Sequence, residues 1–424
     1  AKCAAGLGSV TRRVPRLATS SCKAVSALSK KIQELFAMGQ SLIDQALQER
    51  RRIYTNRAQG ELLPGPMFLG KDAAGSMFFK GGKMRPSTKS KIIHSLLSDS
   101  QYKAAFSRFD TFAQSPVDCL VVDAAFLLRS SGCSSVKSIL NGLVNRVIGY
   151  FNEFLSLKAV VLVFDSYPHM TKAKADTHRK RGQQNEPDRP FDPTEKFNSM
   201  EELQLRFRST AFKEGLIQYI SDKLQHRLKE QAFLDKIIGR TGVTVCVYGV
   251  PAEGERGKQG FCDNKRYDVW RESRRNSTIH MQCLALESTR WKGEADCHAV
   301  IPILELDFKK FAVLSPDTDV TLIMLAAMSQ LSIRKPVYVL YRLQAELNSQ
   351  LAEVCDVQLL CDLISEHFVP AGRPADRRVA VGYFVAVCAM AGSDFTSAIP
   401  KISHKTMLKL APDVLEFLAT RNSK

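Results

Sequence analysis

From residue 88 onward the chain alternates between two hydrophobic rhythms. Short unbroken apolar runs, such as Cys119 to Val122, Val160 to Phe164 and Phe311 to Leu314, are too brief for helices and read as strands buried on both faces. Longer stretches between them carry apolar residues at helical spacing, as with Leu203, Phe212, Leu216, Ile220, Leu224 and Leu228. The pattern predicts strands at 118–123, 159–165, 244–250, 279–286, 310–314 and 336–342. It predicts helices at 89–107, 134–156, 199–238, 294–304 and 318–331, with further helices to the end, broken at Gly392 to Asp394 and near Pro400. Strands alternating with helices of this length predict an α/β fold, with a mostly parallel central sheet flanked by helices. There is no internal repeat and no coiled-coil pattern.

The first 86 residues read differently. Residues 24–58 have the spacing of an amphipathic helix, and residues 59–86 are rich in Gly and Pro, with Gly75-Ser76 placed to turn a small β-hairpin. This divides the chain into an appendage, 1–86, and a main domain, 87–424. Residues 1–31 hold seven Lys and Arg and no acid. Two readings stand side by side: a mitochondrial transit peptide, and a basic arm that lies on nucleic acid or on a larger assembly.

Composition narrows the partners. With 424 residues and 45% hydrophobic content there is enough apolar material for a substantial core. The net charge of +17 favours a polyanion. No apolar run reaches the ~18 residues needed to span a bilayer, so the expectation is nucleic acid and no membrane. The eleven cysteines include no Cys-x-x-Cys pair, and Cys119, Cys246, Cys283 and Cys388 fall inside apolar runs. That predicts reduced thiols in an intracellular setting and argues against zinc; mitochondrial, nuclear and virion-associated locations all stay open.

The chemistry lies in seven acids at or near the ends of these blocks: Asp123, Asp165, Glu294, Asp296, Asp317, Asp319 and Asp394. An aspartate just past a buried strand sits at the carboxyl edge of a parallel sheet, where open α/β sheets bind ligands. Several converging there repel one another unless cations intervene, and hard cations such as Mg²⁺ take oxygen ligands. Each acid alone also reads as a surface charge or a helix cap, and Asp317 and Asp319 open a predicted helix.

The order of the blocks resembles the flap-endonuclease/XPG-like 5′ nucleases, which have a PIN-like fold. The likeness covers about 118–411. It rests on Val-Val-Asp123-Ala, Val-Phe-Asp165-Ser-Tyr-Pro168, Glu294-Ala-Asp296, Asp317-Thr-Asp319 and Gly392-Ser-Asp394-Phe395. The family also carries a lysine and an arginine seven and fourteen residues past the second aspartate, matched by Lys172 and Arg179. The resemblance implies that these two hold the scissile phosphate over the metals, with Lys174, Lys180 and Arg181 beside them. It makes 166–240 a gateway and cap-like insertion, in which Arg206, Arg208, Lys213, Lys223, Arg227 and Lys229 would line a phosphate channel. Residues 392–424 would be the remnant of a helix-two-turn-helix. There both family glycines are replaced, which leaves Lys401, His404 and Lys405 as the phosphate contacts. These departures suit a divergent member of viral or organellar type.

The implied activity is a structure-specific endonuclease or exonuclease acting on DNA or RNA with two Mg²⁺ or Mn²⁺ ions. Asp123, Asp165, Glu294 and Asp296 would serve mainly the first ion, and Asp317, Asp319 and Asp394 the second. Two ions together activate water, neutralise the phosphate and stabilise the leaving oxygen. The alternative is a catalytically silent protein of the same fold that works as an assembly or nucleic-acid-binding component. His169, His178 and His298 are expected at surface or core positions, and Cys297 in packing. Serine-hydrolase and P-loop patterns are missing.

Overall fold

The computed structural model describes residues 79–80, 83–84, 96, 99–112, 116–130, 134–165, 189–252, 261–273, 278–286, 295–315, 317, 319–331, 333–341, 354–367 and 376–390. The chain divides into two compact units, residues 1–87 with 390–402 and residues 88–389 with 403–424. In the first, the described residues are two antiparallel strands, β1 (Phe79–Lys80) and β2 (Lys83–Met84), with Phe79 opposite Met84. This hairpin turns between residues 80 and 83, whereas the turn expected at Gly75-Ser76 lies outside the described residues.

The second unit holds a nine-stranded sheet. Its strands are β3 (Phe106–Ser107), β4 (Cys119–Asp123), β5 (Ala159–Val163), β6 (Gly242–Tyr248), β7 (Lys265–Trp270), β8 (His280–Ala285), β9 (Phe311–Leu314), β10 (Val337–Leu340) and β11 (Val354–Asp356). The spatial order is β3-β11-β10-β9-β4-β5-β6-β7-β8. The five central strands, β10 to β6 in that order, are parallel, while the two at each edge are joined by antiparallel pairing. The sheet is thus mixed rather than mostly parallel. The strands β3, β7 and β11, which no apolar run announced, account for the difference. In β7 only Tyr267 and Val269 are buried, between Lys265, Arg266 and Asp268.

The described helices are α1 (Phe109–Phe112), α2 (Ala124–Ser130), α3 (Val136–Glu153), α4 (Met200–Arg206), α5 (Thr210–Lys229), α6 (Gln231–Asp235), α7 (Ala295–His298), α8 (Val300–Glu305), α9 (Asp319–Gln330), α10 (Val357–His367) and α11 (Arg377–Met390). The helix expected over 199–238 is three helices. Ser199 and Ser209 are each an N-cap, accepting the N–H of Glu202 and of Phe212, so the second serine starts α5 anew. The helix expected over 89–107 gives way to β3 at Phe106. Ser135 opens α3 with a capping box shared with Ser138.

Strand alternation builds two buried layers. Leu120, Val122, Val160, Leu162, Val245 and Val247 join the core cluster formed with α3 and α5. The residues between them, such as Val121, Val161 and Cys246, are equally buried on the opposite face. One close approach is specific. A Cβ on Gly215, inside α5, would stand 2.3 Å from the Cβ of Phe191, so only glycine fits there.

At the amino edge Asp118 ties three parallel strands together. Its carbonyl accepts the N–H groups of Lys158 (2.7 Å) and Ala159 (3.0 Å), and its own N–H donates to the Lys310 carbonyl at 3.1 Å. Its carboxylate accepts the Lys310 N–H at 3.1 Å and pairs with the Lys158 ammonium at 2.9 Å.

At the other end the chain winds from β4 to β5 and β6 on one side, and later fills β9 and β10 on the other. The carboxyl end of β4 is therefore the topological switch point, the place where open α/β sheets leave a crevice for ligands.

Candidate functional site

Asp123 ends β4, the strand at that switch point. It lies opposite Val163 of β5, and the preceding Val122 lies opposite Leu314 of β9. Neighbouring strands run about 5 Å apart, so Asp123 stands between two strand ends, each of which leads into acids. Asp165 follows β5 by two residues, and Ser315, Asp317 and Asp319 follow β9 in turn.

Hydrogen bonds join these ends. The Ala295 N–H, at the start of α7, donates to Asp165 Oδ1 at 2.8 Å. This brings the segment carrying Asp296 to the end of β5, although more than a hundred residues separate them in sequence. The Ser315 hydroxyl donates to Asp296 Oδ1 at 3.3 Å and accepts the Asp317 N–H at 3.2 Å. Asp317 Oδ1 in turn accepts the Asp319 N–H at 3.0 Å, which sets Asp319 at the first turn of α9. Asp165, Asp296, Asp317 and Asp319 are thus linked through short polar contacts, with Asp123 on the strand between. All five are half-buried.

The site's chemistry is that of hard oxygen donors, which suits Mg²⁺ or Mn²⁺ better than softer metals. Among the described residues, no group of three or more His, Cys, Asp or Glu is already gathered to hold a metal ion. Glu294 and Asp394 lie outside the described residues, as do Lys172, Lys174, Arg179, Lys180, Arg181, Lys401, His404 and Lys405. Asp317, for which a helix cap was the alternative, accepts the N–H of Asp319 at the first turn of α9.

Of the six cations expected along a channel, two are used inside the fold. Arg206 is buried, pairing with Glu195 at 2.7 Å, bonding the Pro190 carbonyl and lying over the Phe212 ring. Arg227 pairs with Glu230 at 2.6 Å and donates to Asn141. Both hold the fold together, because a guanidinium leaving water must find several acceptors. Arg208, Lys223 and Lys229 are exposed. Lys213 is the exception. It is buried, and it lines a depression together with Asp165, Phe164, Ala125, Phe207 and Ile217. The helix α5 thus places one lysine in the same depression as Asp165.

Other expectations resolve individually. His298 is buried, as a core role requires, whereas Cys297 and Cys283 are exposed rather than packed. His169 and His178 lie outside the described residues. Tyr248, at the carboxyl end of β6, donates its hydroxyl to Glu305 at 3.0 Å. Burial first, and then the Glu305 charge, push that phenol well above its ordinary range, so it stays neutral and offers no base. The residue the sequence reading passed over is Ser315. The Ser-x-Asp spacing, in which a hydroxyl caps the N–H two residues on, was the available signal.

No family model matches the chain, and no curated protein matches it.

Proposed function

We propose that the protein is a divalent-metal-dependent nuclease of the PIN-like, flap-endonuclease type. It would hydrolyse phosphodiester bonds at the carboxyl edge of the parallel core. The observation that carries this reading is the placement of Asp123 at the topological switch point. The linked set Asp165, Asp296, Ser315, Asp317 and Asp319 stands on the adjoining strand ends and helix starts. The family resemblance adds Glu294 and Asp394 to the ligands, and Lys172 and Arg179 to the phosphate contacts. Two Mg²⁺ or Mn²⁺ ions held there would activate water and neutralise charge on the phosphate. The chain's own part is to hold the carboxylates at fixed strand ends, to orient them through Ser315 and the Ala295 N–H, and to supply cationic contacts that register the nucleic acid.

A second reading, a silent assembly or nucleic-acid-binding component, draws on a specific observation. Asp165, Asp296 and Asp317 each spend an oxygen on a hydrogen bond inside the protein, and no three described ligands are gathered.

The test is incubation of the purified chain with end-labelled flap DNA, hairpin RNA and single strands, each with Mg²⁺, Mn²⁺ or EDTA. Metal-dependent cleavage is expected. Asp317→Asn with Asp319→Asn should reduce it to below about a thousandth of wild type, the scale on which a dominant electrostatic contact counts, while binding stays near intact. Lys172→Ala should slow cleavage with little change in metal affinity. No cleavage of any substrate, together with no Mn²⁺ bound at the seven acids in soaked crystals, would overturn the nuclease reading in favour of the second.

A further inference from the structure

Two aliphatic side chains project from the amino edge of the sheet, at the far end of the strands from the acids. Leu155, just past α3, is 83% exposed, and Ile238, just past α6, is 74% exposed. Their two loops are pinned to each other. The Asn152 side chain donates to the Lys236 carbonyl at 2.9 Å and accepts the Ile238 N–H at 2.8 Å. The Arg240 guanidinium donates to the carbonyls of Phe154 and Leu155, each at 2.7 Å. These bonds hold two large apolar groups in water, where they gain nothing from packing.

The surrounding rim is basic. Asp118 and Asp235 are held by Lys158 and Arg271. Against Glu153, Glu272 and Asp307 stand Lys236, Arg240, Lys309, Lys310 and Arg334, the last three on the segments leading into β9 and β10. Apolar tips inside a cationic collar suit the boundary between acyl chains and anionic headgroups.

We propose that this rim docks on an anionic lipid bilayer, with Leu155 and Ile238 entering the acyl boundary and the collar lying on headgroup phosphates. A second copy of the chain fits less well, because it would press the same basic collar against itself. A protein partner would need an apolar pocket for each projecting tip, whereas a bilayer accepts them without one. No described helix is long and apolar enough to cross a membrane. That bears on crossing a bilayer and not on lying against it. The site of chemistry stays at the opposite edge, so this inference stands apart from the proposed activity.

The basic residues near the amino terminus will also attract anionic vesicles, so binding alone does not test the tips. The test is the full chain carrying Leu155→Trp, read by its fluorescence difference from the wild-type chain, which holds Trp270 and Trp291. It is mixed with phosphatidylcholine vesicles, with and without phosphatidylserine, bearing brominated acyl chains. Met200→Trp is the control, at an exposed apolar site just past Lys196, which bridges Ser135 at the opposite end of α3. Emission from position 155 should move to the blue and be quenched on phosphatidylserine vesicles, and emission from position 200 should not. Leu155→Asp with Ile238→Asp, both at exposed sites, should weaken vesicle binding by about tenfold, as two side chains leave the acyl boundary. The proposal is overturned if position 155 is quenched no more than position 200, or if the double variant binds vesicles as wild type does. It is equally overturned if the double variant instead dissolves a lipid-free dimer or loses affinity for a single-stranded oligonucleotide.

Discussion

Ser315 has one hydroxyl and uses it in two directions, as donor to Asp296 and as acceptor from the Asp317 N–H. It is buried at the end of β9, so water cannot replace either bond. On the proposed nuclease reading it is a positioning residue. Ser315→Ala should leave the strand in place but free the Asp296 carboxylate to turn. The expected result is a 10- to 100-fold rise in the Mg²⁺ concentration needed for half-maximal cleavage, about the range for residues that orient metal ligands. Excess metal should restore the rate, and Ser315→Thr should behave as wild type. A loss of rate that no metal concentration restores would mark the residue as merely structural. The places of Asp123, Asp165 and Asp317 at or just past strand ends were legible in the sequence, because each closes or follows a buried apolar run. Ser315 was not, since a serine before a proline reads as an ordinary turn. The roles of Arg206 and Arg227 were not legible either. Helical spacing places a cation on a face, but it does not reveal that Glu195, from a segment outside the helix, will be there to meet it.

Asp118 shows what an element's starting residue can do for stability. Burial alone would push its carboxyl up, but the Lys158 hydrogen bond and charge, with the backbone N–H groups of Lys310 and Lys309, hold it below the usual carboxylate range. A lowered folded value means that its contribution is complete above the unfolded value of about 4 and fades as the pH falls through the folded one. Asp118→Asn should therefore cost about 1 kcal/mol at neutral pH, discounted because Lys158 is largely exposed. In chemical denaturation the gap between variant and wild type should close in strong acid. A gap that persists there would mean that the packing, and not the charge, is what matters. The buried strands β4, β5, β6, β9 and β10 were legible because parallel strands covered on both faces must be apolar throughout. The strands β3, β7 and β11 were not. Two are three residues long or less, and β7 shows water enough polar side chains to resemble a loop.

For the whole molecule, the charge of +17 sets the character of any nucleic-acid complex. Affinity should fall steeply as salt rises, and deleting residues 1–31, which removes seven positive charges, should flatten the slope of log affinity against log salt. An unchanged slope in the truncated chain would show that those residues never meet the phosphates. The sheet also has a history in time. Its central strand β4 pairs with β5 soon after both are made, but its other neighbour, β9, follows Lys310, which lies 192 residues beyond its bonding partner Asp118. At ribosomal rates of about 5–20 residues per second that strand arrives roughly 10–40 s later. Until then one edge of the apolar strand β4 has no strand beside it. A nascent chain, or any fragment ending before Phe311, must keep that edge from other chains, and so such fragments should aggregate more readily than the full chain.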